Sequence, residues 1–171
     1  MLSRKLAIDH IPHLIKDKKV LMRVDFNVPM KEGVITDPKR IVSTLPSINY
    51  LLDNGAKSVI LMSHMGRPKG SKQMQFSLNP LVPAVEDFLK RKVQFVPDCI
   101  GADTAKACGE AKDGQVLLLE NMRFYTAEEG KGEINGQKVK ATDAEIADFR
   151  KQLTGYGDIY VNDAFGTSHR A

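Results

Sequence analysis

Residues 55–68 read GAKSVILMSHMGRP and contain the clearest indication of the fold. It contains a short, continuous apolar run at 58–62 (SVILM). A run of this kind is typical of a strand that is covered on both faces, as in a parallel sheet. Comparable runs recur along the chain at 20–24 (VLMRV), 93–96 (VQFV), 115–119 (QVLLL) and 158–161 (DIYV). The sequence therefore predicts at least five parallel strands.

Amphipathic segments between the runs predict helices. The first begins at Asp37 and Pro38, because aspartate caps a helix N-terminus and proline suits the first turn. Pro46 lies inside this segment and predicts a kink, and Gly55 predicts its end. The apolar positions are spaced by three or four residues, as on one face of a helix: Ile41, Leu45, Ile48 and Leu52.

Three more helices are predicted downstream. Residues 102–112 form the weakest of them. In the last one, Thr142 and Glu145 match a capping box and Gly155 predicts the stop. Its apolar stripe is Ile146, Phe149 and Leu153. The remaining helix begins at Asn79-Pro80 and buries one face, made of Leu81, Val85, Phe88 and Leu89.

The alternation of strands and helices predicts a single α/β domain. We expect a doubly wound, Rossmann-like parallel sheet in a three-layer αβα arrangement with right-handed crossovers. The departure is 124–141 (FYTAEEGKGEINGQKVKA), which is polar and rich in glycine. It predicts an exposed excursion with a small hairpin at Asn135-Gly136.

Composition argues against several classes of function. The net charge is only +4 and the lysines are scattered, so a nucleic-acid surface is not expected. No apolar run approaches the ~20 residues of a membrane span, and the N-terminus does not resemble a secretory signal. Cys99 and Cys108 match no zinc or redox spacing, and we interpret them as buried thiols in a reducing, cytoplasmic compartment.

Polar segments follow four of the five predicted strands, where open α/β sheets bind ligands. They are 25–29 (DFNVP), 63–68 (SHMGRP), 120–124 (ENMRF) and 162–170 (NDAFGTSHR), whereas the remaining one, 97–99 (PDC), looks structural. Arg67, Arg123 and Arg170 follow strands, and Arg40 lies in the first turn of a helix. Arginines that converge with His64 and His169 predict a ligand with at least two negative groups.

Each of these residues also has a structural interpretation. Any one arginine can be a surface ion-pair partner, His64 and Asn27 can be turn residues, and Asp25 can cap a loop. The glycine-containing segments 66–72 (GRPKGSK) and 130–136 (GKGEING) miss the spacings of phosphate-binding loops. The sequence contains no metal-ligand cluster and no nucleophile elbow, so no metal site is predicted.

Four strings in order carry a family resemblance: RVDFNVP (23–29), SHMGRPKG (63–70), LLENMRF (118–124) and VNDAFGTSHRA (161–171). They resemble the N-terminal motifs of the phosphoglycerate kinases. The resemblance implies that Asp25 and Asn27, with the Phe26 backbone between them, contact the hydroxyl and carboxylate end of glycerate. It implies that Arg40 is catalytic and reaches the transferring phosphoryl group.

The resemblance also implies a site for the non-reacting 3-phosphate. Its ligands would be His64, Arg67, Arg123 and Arg170. Ser63, Gly66 and His169 would line the same pocket. No strong base is implied, because the acceptor is already a carboxylate, so catalysis would rest on positioning and charge stabilisation.

The implied function is reversible phosphoryl transfer between 1,3-bisphosphoglycerate and ADP, giving 3-phosphoglycerate and ATP. Residues 1–171 would form the N-terminal, 3-phosphoglycerate-binding domain and bind no cofactor. Mg-ATP or Mg-ADP would be held by a missing C-terminal domain, so the isolated chain is expected to lack turnover. The whole enzyme is expected to be a cytoplasmic monomer. One alternative is a module that captures phosphorylated acids without chemistry. Another is a nucleotide-binding or redox Rossmann protein, but the sequence lacks the glycine fingerprint of that class.

Overall fold

The computed structural model describes residues 6–164. Its strands are β1 (Lys19–Arg23), β2 (Met30–Lys31), β3 (Val34–Ile35), β4 (Ser58–Met62), β5 (Val93–Val96), β6 (Gln115–Leu119), β7 (Lys131–Ile134), β8 (Gln137–Lys140) and β9 (Ile159–Asn162). Its α-helices are α1 (Pro12–Ile15), α2 (Lys39–Asp53), α3 (Val82–Leu89), α4 (Ala102–Gly109), α5 (Thr126–Glu129) and α6 (Asp143–Thr154). Short 3-10 helices cover Ile8–His10, Met74–Phe76, Asn79–Leu81 and Met122–Phe124.

The central sheet has the order β5-β6-β4-β1-β9, and every neighbouring pair in it is parallel. The prediction of five parallel strands is confirmed. Three strands have the predicted bounds, while β1 and β9 are each displaced by one residue. At the end of β1 the displacement is small in effect, since the Val24 N–H still donates to the Met62 carbonyl at 3.0 Å.

Successive residues of the three central strands, β1, β4 and β6, enter two separate hydrophobic cores. Met22 and Leu61 pack in the core on one face of the sheet, with the buried faces of α2 and α3. Leu21 and Ile60 point the other way and pack with Phe149 of α6 and with α4. The continuous apolar runs of these three strands are explained by burial on both faces, which follows from side chains that alternate along a strand. The edge strands β5 and β9 are covered less completely, and each exposes a residue, Gln94 and Tyr160. The three-layer, doubly wound α/β fold is confirmed.

The first long helix, α2, begins and ends close to its predicted limits. The helix begins one residue later than predicted, with Pro38 at the N-cap position, and the Asp37 carboxylate before it accepts a hydrogen bond from the Lys39 N–H at 3.0 Å. Gly55 follows the helix with a φ of +81°, a conformation that glycine adopts without strain. Helix α2 runs without a break through Pro46, and the kink expected there stays a prediction.

The other helices agree with the sequence except at their limits. At the second predicted start, Asn79-Pro80, the chain first makes a 3-10 turn before α3. The third helix, α4, ends at Gly109 rather than at residue 112. In α6 the capping box is present, with Thr142 Oγ1 accepting from the Glu145 N–H at 3.2 Å and Glu145 Oε2 accepting from the Thr142 N–H at 2.7 Å.

The polar segment 124–141 is only partly the exposed excursion that the sequence predicts. The hairpin is confirmed, since β7 and β8 are antiparallel and the turn residues Asn135 and Gly136 have φ of +52° and +78°. Phe124, however, is buried, and α5 follows it. A second hairpin, β2–β3, was not predicted, although its Glu32-Gly33 turn is a recognisable signal.

Among residues 6–164, no helix has both the length and the apolar character that crossing a bilayer demands.

Candidate functional site

Three polar segments meet at the carboxyl edge of the sheet. Strands β1, β4 and β6 are adjacent and parallel, so 24–29, 63–68 and 120–124 all leave the sheet on the same side. The Phe26 N–H donates to Ser63 Oγ at 2.9 Å, and the Gly66 N–H donates to Asn27 Oδ1 at 2.9 Å. The segments are therefore tied to one another, as the sequence predicts for a shared ligand site.

The side chain of Phe26 is fully buried in the core, so only its backbone is available at this edge. Ser63 is also fully buried. Its hydroxyl accepts from Phe26 and donates to the His64 carbonyl, and its own carbonyl accepts from the Met122 N–H at 3.1 Å. Ser63 therefore joins the ends of three strands, which is a structural task and leaves little of the side chain for a ligand.

Arg40 reaches from the first turn of α2 to the loop after β1. Its Nη1 lies 3.1 Å from Asp25 Oδ1, 3.0 Å from Asp25 Oδ2 and 3.1 Å from the Asn27 carbonyl oxygen. The Arg40 side chain is 52% exposed and that of Asp25 is 17% exposed. The guanidinium is thus held at the mouth of the site while much of it stays accessible.

The two remaining arginines of the described site lie in different surroundings. Arg67 is exposed. Arg123 is 8% exposed, and its Nη1 donates to the Gly66 carbonyl at 3.4 Å while its Nη2 lies 3.5 Å from Glu129 Oε1. One arginine therefore borders the solvent and the other lies beneath the turn that carries the first.

His64 is buried among these charges. It is 4% exposed, and its Nδ1 has no hydrogen-bond partner among residues 6–164. Burial, helped by the positive charges of Arg123, Arg23 and Arg40 and opposed by Asp25, lowers the pKa of His64 to about 4. The imidazole is therefore neutral at pH 7 and adds no positive charge to that of the arginines.

The segment 66–71, which carries Arg67, is fastened to the polar excursion. The Glu133 N–H donates to the Lys69 carbonyl at 2.8 Å, and Lys69 Nζ lies 2.7 Å from Glu133 Oε2. The backbones come so close that a Cβ on Gly132 would overlap the Lys69 carbonyl oxygen. The Gly70 N–H donates to the Arg123 carbonyl at 3.0 Å. The excursion thus supports the site from outside.

Comparison with known proteins identifies the family. A family model described as phosphoglycerate kinase matches residues 9–171. The chain belongs to the phosphoglycerate kinase family. It is 65% identical to the phosphoglycerate kinase of Sterkiella nova and 63% identical to that of Euplotes crassus, in both cases over 171 residues and 100% of this chain. It spans 41% of the length of each of these relatives.

Solved structures of phosphoglycerate kinases have the same fold. The chain superposes on the crystal structure of the enzyme from Pyrococcus horikoshii OT3 with a TM-score of 0.78 at 30% sequence identity, covering 97% of this chain and 38% of that one. The Coxiella burnetii enzyme gives a TM-score of 0.73 at 33% identity, covering 97% of this chain and 37% of that one.

Two of the predicted site residues in this phosphoglycerate kinase family member, His169 and Arg170, lie outside the described residues. The other predicted residues meet at one edge of the sheet, although their roles stay predictions. Within the described part of the chain, no group of three or more histidine, cysteine or acidic side chains is arranged to hold a metal ion.

Sequence reasoning missed Arg23. Its side chain is 13% exposed, with Nη2 2.8 Å from Glu128 Oε1 and Nη1 3.1 Å from Met122 Sδ. Arg23 lies within the apolar run 20–24, and a charged residue near the carboxyl end of a buried strand is itself a signal. Glu128 and Glu129, on α5, supply the acidic partners of Arg23, which is partly buried, and of Arg123, which is buried.

The segment after β5 has the structural role that the sequence predicts. Asp98 accepts from the Tyr125 hydroxyl at 2.8 Å and from the Cys99 N–H at 2.7 Å. Burial, followed by the hydrogen bond to Asp98, raises the pKa of Tyr125 above its usual range. Cys99 and Cys108 are free and buried, and burial raises the pKa of the Cys108 thiol to about 11. Both thiols are therefore protonated and packed in the core at neutral pH.

Proposed function

We propose that this chain binds 3-phosphoglycerate and 1,3-bisphosphoglycerate at the carboxyl edge of its sheet. In this proposal it supplies the acid-substrate side of reversible phosphoryl transfer between 1,3-bisphosphoglycerate and ADP. The observation that carries the proposal is the cluster of three hydrogen-bonded post-strand segments around His64, into which Arg40 and Arg123 are both bonded. Membership of the phosphoglycerate kinase family supports the same ligand.

The charges at this edge suit an anion with two separated negative groups. Arg67 is exposed and has the planar fork that binds phosphate oxygens in pairs, so it would hold the 3-phosphate. Arg123 lies under the same turn and adds positive charge from below. The neutral His64 can donate or accept a hydrogen bond there without a further charge. His169 and Arg170 would complete this end of the site.

Arg40 would act at the other end of the ligand. Its guanidinium already lies beside Asp25 and the Asn27 carbonyl, where the hydroxyl and carboxylate end of glycerate would bind. Charge on a transferring phosphoryl group is spread over its peripheral oxygens, and a guanidinium placed there stabilises the transition state. Asp25 would hold Arg40 at the entrance until the substrate arrives.

The nucleotide would bind elsewhere in a complete enzyme. We assign Mg-ATP and Mg-ADP to the part of the relatives' length that this chain does not span, and that part would be the partner of this domain. The metal would neutralise phosphate charge during transfer. We place the enzyme in the cytoplasm, with support from the free, buried thiols.

Calorimetric titration with 3-phosphoglycerate tests the proposal. Arg67→Ala is expected to raise the Kd by about tenfold or more, because it removes a charge-assisted contact to phosphate. The matched control is Arg150→Ala, which removes another exposed arginine, from α6, and is expected to leave the Kd unchanged. Absence of binding by the unmodified chain, or equal losses in the two variants, would contradict the proposal.

A further inference from the structure

Asn121 is a fully buried side chain that the predicted functions do not use. It lies two residues after β6 and is 0% exposed. Its Nδ2 donates to the Met65 carbonyl and to the Phe76 carbonyl, each at 2.8 Å. Its Oδ1 accepts from the Arg123 N–H at 3.0 Å. Both amide protons and the oxygen are therefore in use, and exchanging the amide oxygen and nitrogen would break all three bonds.

These bonds fix the turn that presents Arg67. Met65 is held by Asn121 just before Gly66, which has a φ of +62°. The ring of Phe76 covers Gly66 so closely that a Cβ there would overlap it. Asn121 also donates to the Phe76 carbonyl. This one side chain is therefore bonded both to the turn at Met65–Gly66 and to the residue whose ring covers that turn.

Glu120 fixes the backbone from which Asn121 extends. Its carboxylate is 3% exposed and accepts from Ser77 Oγ at 2.6 Å, from the Leu78 N–H at 2.9 Å and from the Asn121 N–H at 2.8 Å. Buried polar groups that are fully bonded in this way are rigid and specify one arrangement. The segment after β6 and the segment 76–78 therefore form one stiff unit beneath the turn.

We propose that Asn121 is a positioning residue that sets the spacing between Arg67 and Arg123, and thereby the affinity for a phosphorylated acid. It acts on Arg67 through the Met65–Gly66 turn and on Arg123 through that residue's own N–H. The choice of 3-phosphoglycerate as the ligand rests on the proposed function. The spacing itself is a property of the described residues and can be tested without a ligand.

Asn121→Ser separates the positioning of the turn from the cap on Arg123. A serine hydroxyl can still accept from the Arg123 N–H, as serine does at helix starts, but it is too short to replace both amide bonds. Asn54→Ser is the matched control, because Asn54 Nδ2 donates to the Tyr50 carbonyl at 2.8 Å at the end of α2. Asn121→Ser removes a buried amide from the site, whereas Asn54→Ser removes a half-buried amide at the C-terminal end of α2, outside the site.

Affinity and stability are then compared by titration with 3-phosphoglycerate and by thermal unfolding. Asn121→Ser is expected to raise the Kd for 3-phosphoglycerate by about tenfold or more at a temperature where every variant is folded. The reason is that Arg67 and Arg123 would no longer be held at the spacing that suits the anion. Asn54→Ser is expected to lose stability and keep the wild-type Kd. A wild-type Kd for Asn121→Ser, or a loss in Asn54→Ser that tracks its lower Tm, would overturn the inference.

Amide hydrogen exchange gives an answer that does not depend on the ligand. The Gly66 N–H, bonded to Asn27 Oδ1, is expected to exchange faster in Asn121→Ser than in wild type and to be unchanged in Asn54→Ser. Unchanged exchange at Gly66 in Asn121→Ser would overturn the inference. If wild type fails to bind 3-phosphoglycerate, the proposed function fails while this comparison still decides the role of Asn121.

A second variant covers the case in which Asn121→Ser is recovered unfolded. Phe76 is only half-buried, so Phe76→Leu removes the ring that covers Gly66 while an apolar side chain remains. The same weakening of 3-phosphoglycerate binding and the same faster exchange at Gly66 are expected. Wild-type values for both measurements in a folded Phe76→Leu protein would overturn the inference.

Discussion

The guanidinium of Arg40 contacts both carboxylate oxygens of Asp25, at 3.1 and 3.0 Å, although the two residues belong to different elements. Asp25 follows β1, and Arg40 lies in the first turn of α2. The Arg40 side chain is about half exposed, so the ion pair contributes little to the free energy of unfolding. The pair keeps the positive charge of Arg40 at a fixed place beside the loop after β1.

This placement predicts a catalytic rather than a binding effect for Arg40. In a full-length enzyme of the family, Arg40→Ala is expected to lower turnover by roughly 10²–10³, since its contact would be complete only in the transition state. The KM for 3-phosphoglycerate should change little. Steady-state kinetics check this, with Arg67→Ala as the comparison that should mainly raise KM. A large rise in KM with turnover intact would show that Arg40 is a binding residue.

The isolated chain is expected to bind 3-phosphoglycerate weakly and to show no measurable binding of Mg-ATP. The first follows from the arginines at the carboxyl edge, and the second from the absence of a glycine-rich nucleotide loop in the sequence. Titrations at rising salt should weaken the first interaction, because charges at the surface are screened over ~8–10 Å near physiological ionic strength. Tight Mg-ATP binding, or salt-independent binding of 3-phosphoglycerate, would contradict this prediction.

The buried imidazole of His64 predicts a particular pH dependence. Its native pKa is about 4, below the unfolded value near 6.5, so the unfolded chain takes up the proton first as the pH falls. Its contribution to stability is therefore complete above about pH 6.5 and is lost progressively down to about pH 4, by at most about 1.4 kcal/mol per pH unit.

NMR titration of the His64 ring and urea unfolding at several pH values measure this effect. The ring signal should keep its neutral position at pH 6, where a solvated histidine is already mostly charged. His64→Gln, which cannot titrate, should lose less stability than wild type between pH 6.5 and 4. A ring midpoint near 6.5, or identical pH profiles for the two proteins, would show that the imidazole is not held neutral.

The turn at Gly66 predicts a large effect for a single methyl group. Gly66→Ala must place a Cβ into the Phe76 ring at a φ of +62°, so it combines backbone strain with a clash. Gly33→Ala, at a φ of +79° with open space around it, carries the backbone strain alone. We expect Gly33→Ala to cost about 1 kcal/mol and Gly66→Ala clearly more, measured by urea unfolding. Equal costs would mean that the ring moves aside freely.

The central strands could be predicted because burial on both faces requires a continuous run of apolar residues. Residues 58–62 are buried at every position, and that strand was predicted to the residue. Arg67 and Arg123 could be placed at one edge of the sheet for a related reason, since the carboxyl ends of parallel strands meet there. Arg40 was found because Asp37 and Pro38 mark the start of its helix.

What escaped prediction depends on contacts between distant parts of the chain. The charge of His64 could not be inferred from its sequence neighbours, because burial and the surrounding arginines set it together. The bond of Arg23 to Glu128 joins positions more than a hundred residues apart. The polar composition of 124–141 predicts exposure, but Phe124, the first residue of that segment, is buried. A helix and a hairpin strand follow it.

The fastening of Lys69 to the excursion has a consequence for protein engineering. At the tip of this polar hairpin, a Cβ added to Gly136 would meet nothing within 4 Å, so the tip has room for a tag or an inserted peptide. At its base, however, Gly132 and Glu133 lie against the Lys69 backbone, so any added length there would displace the turn that carries Arg67. We therefore expect an inserted peptide to be tolerated at Gly136, at the tip of the hairpin, but not at Gly132, at its base, only four residues away.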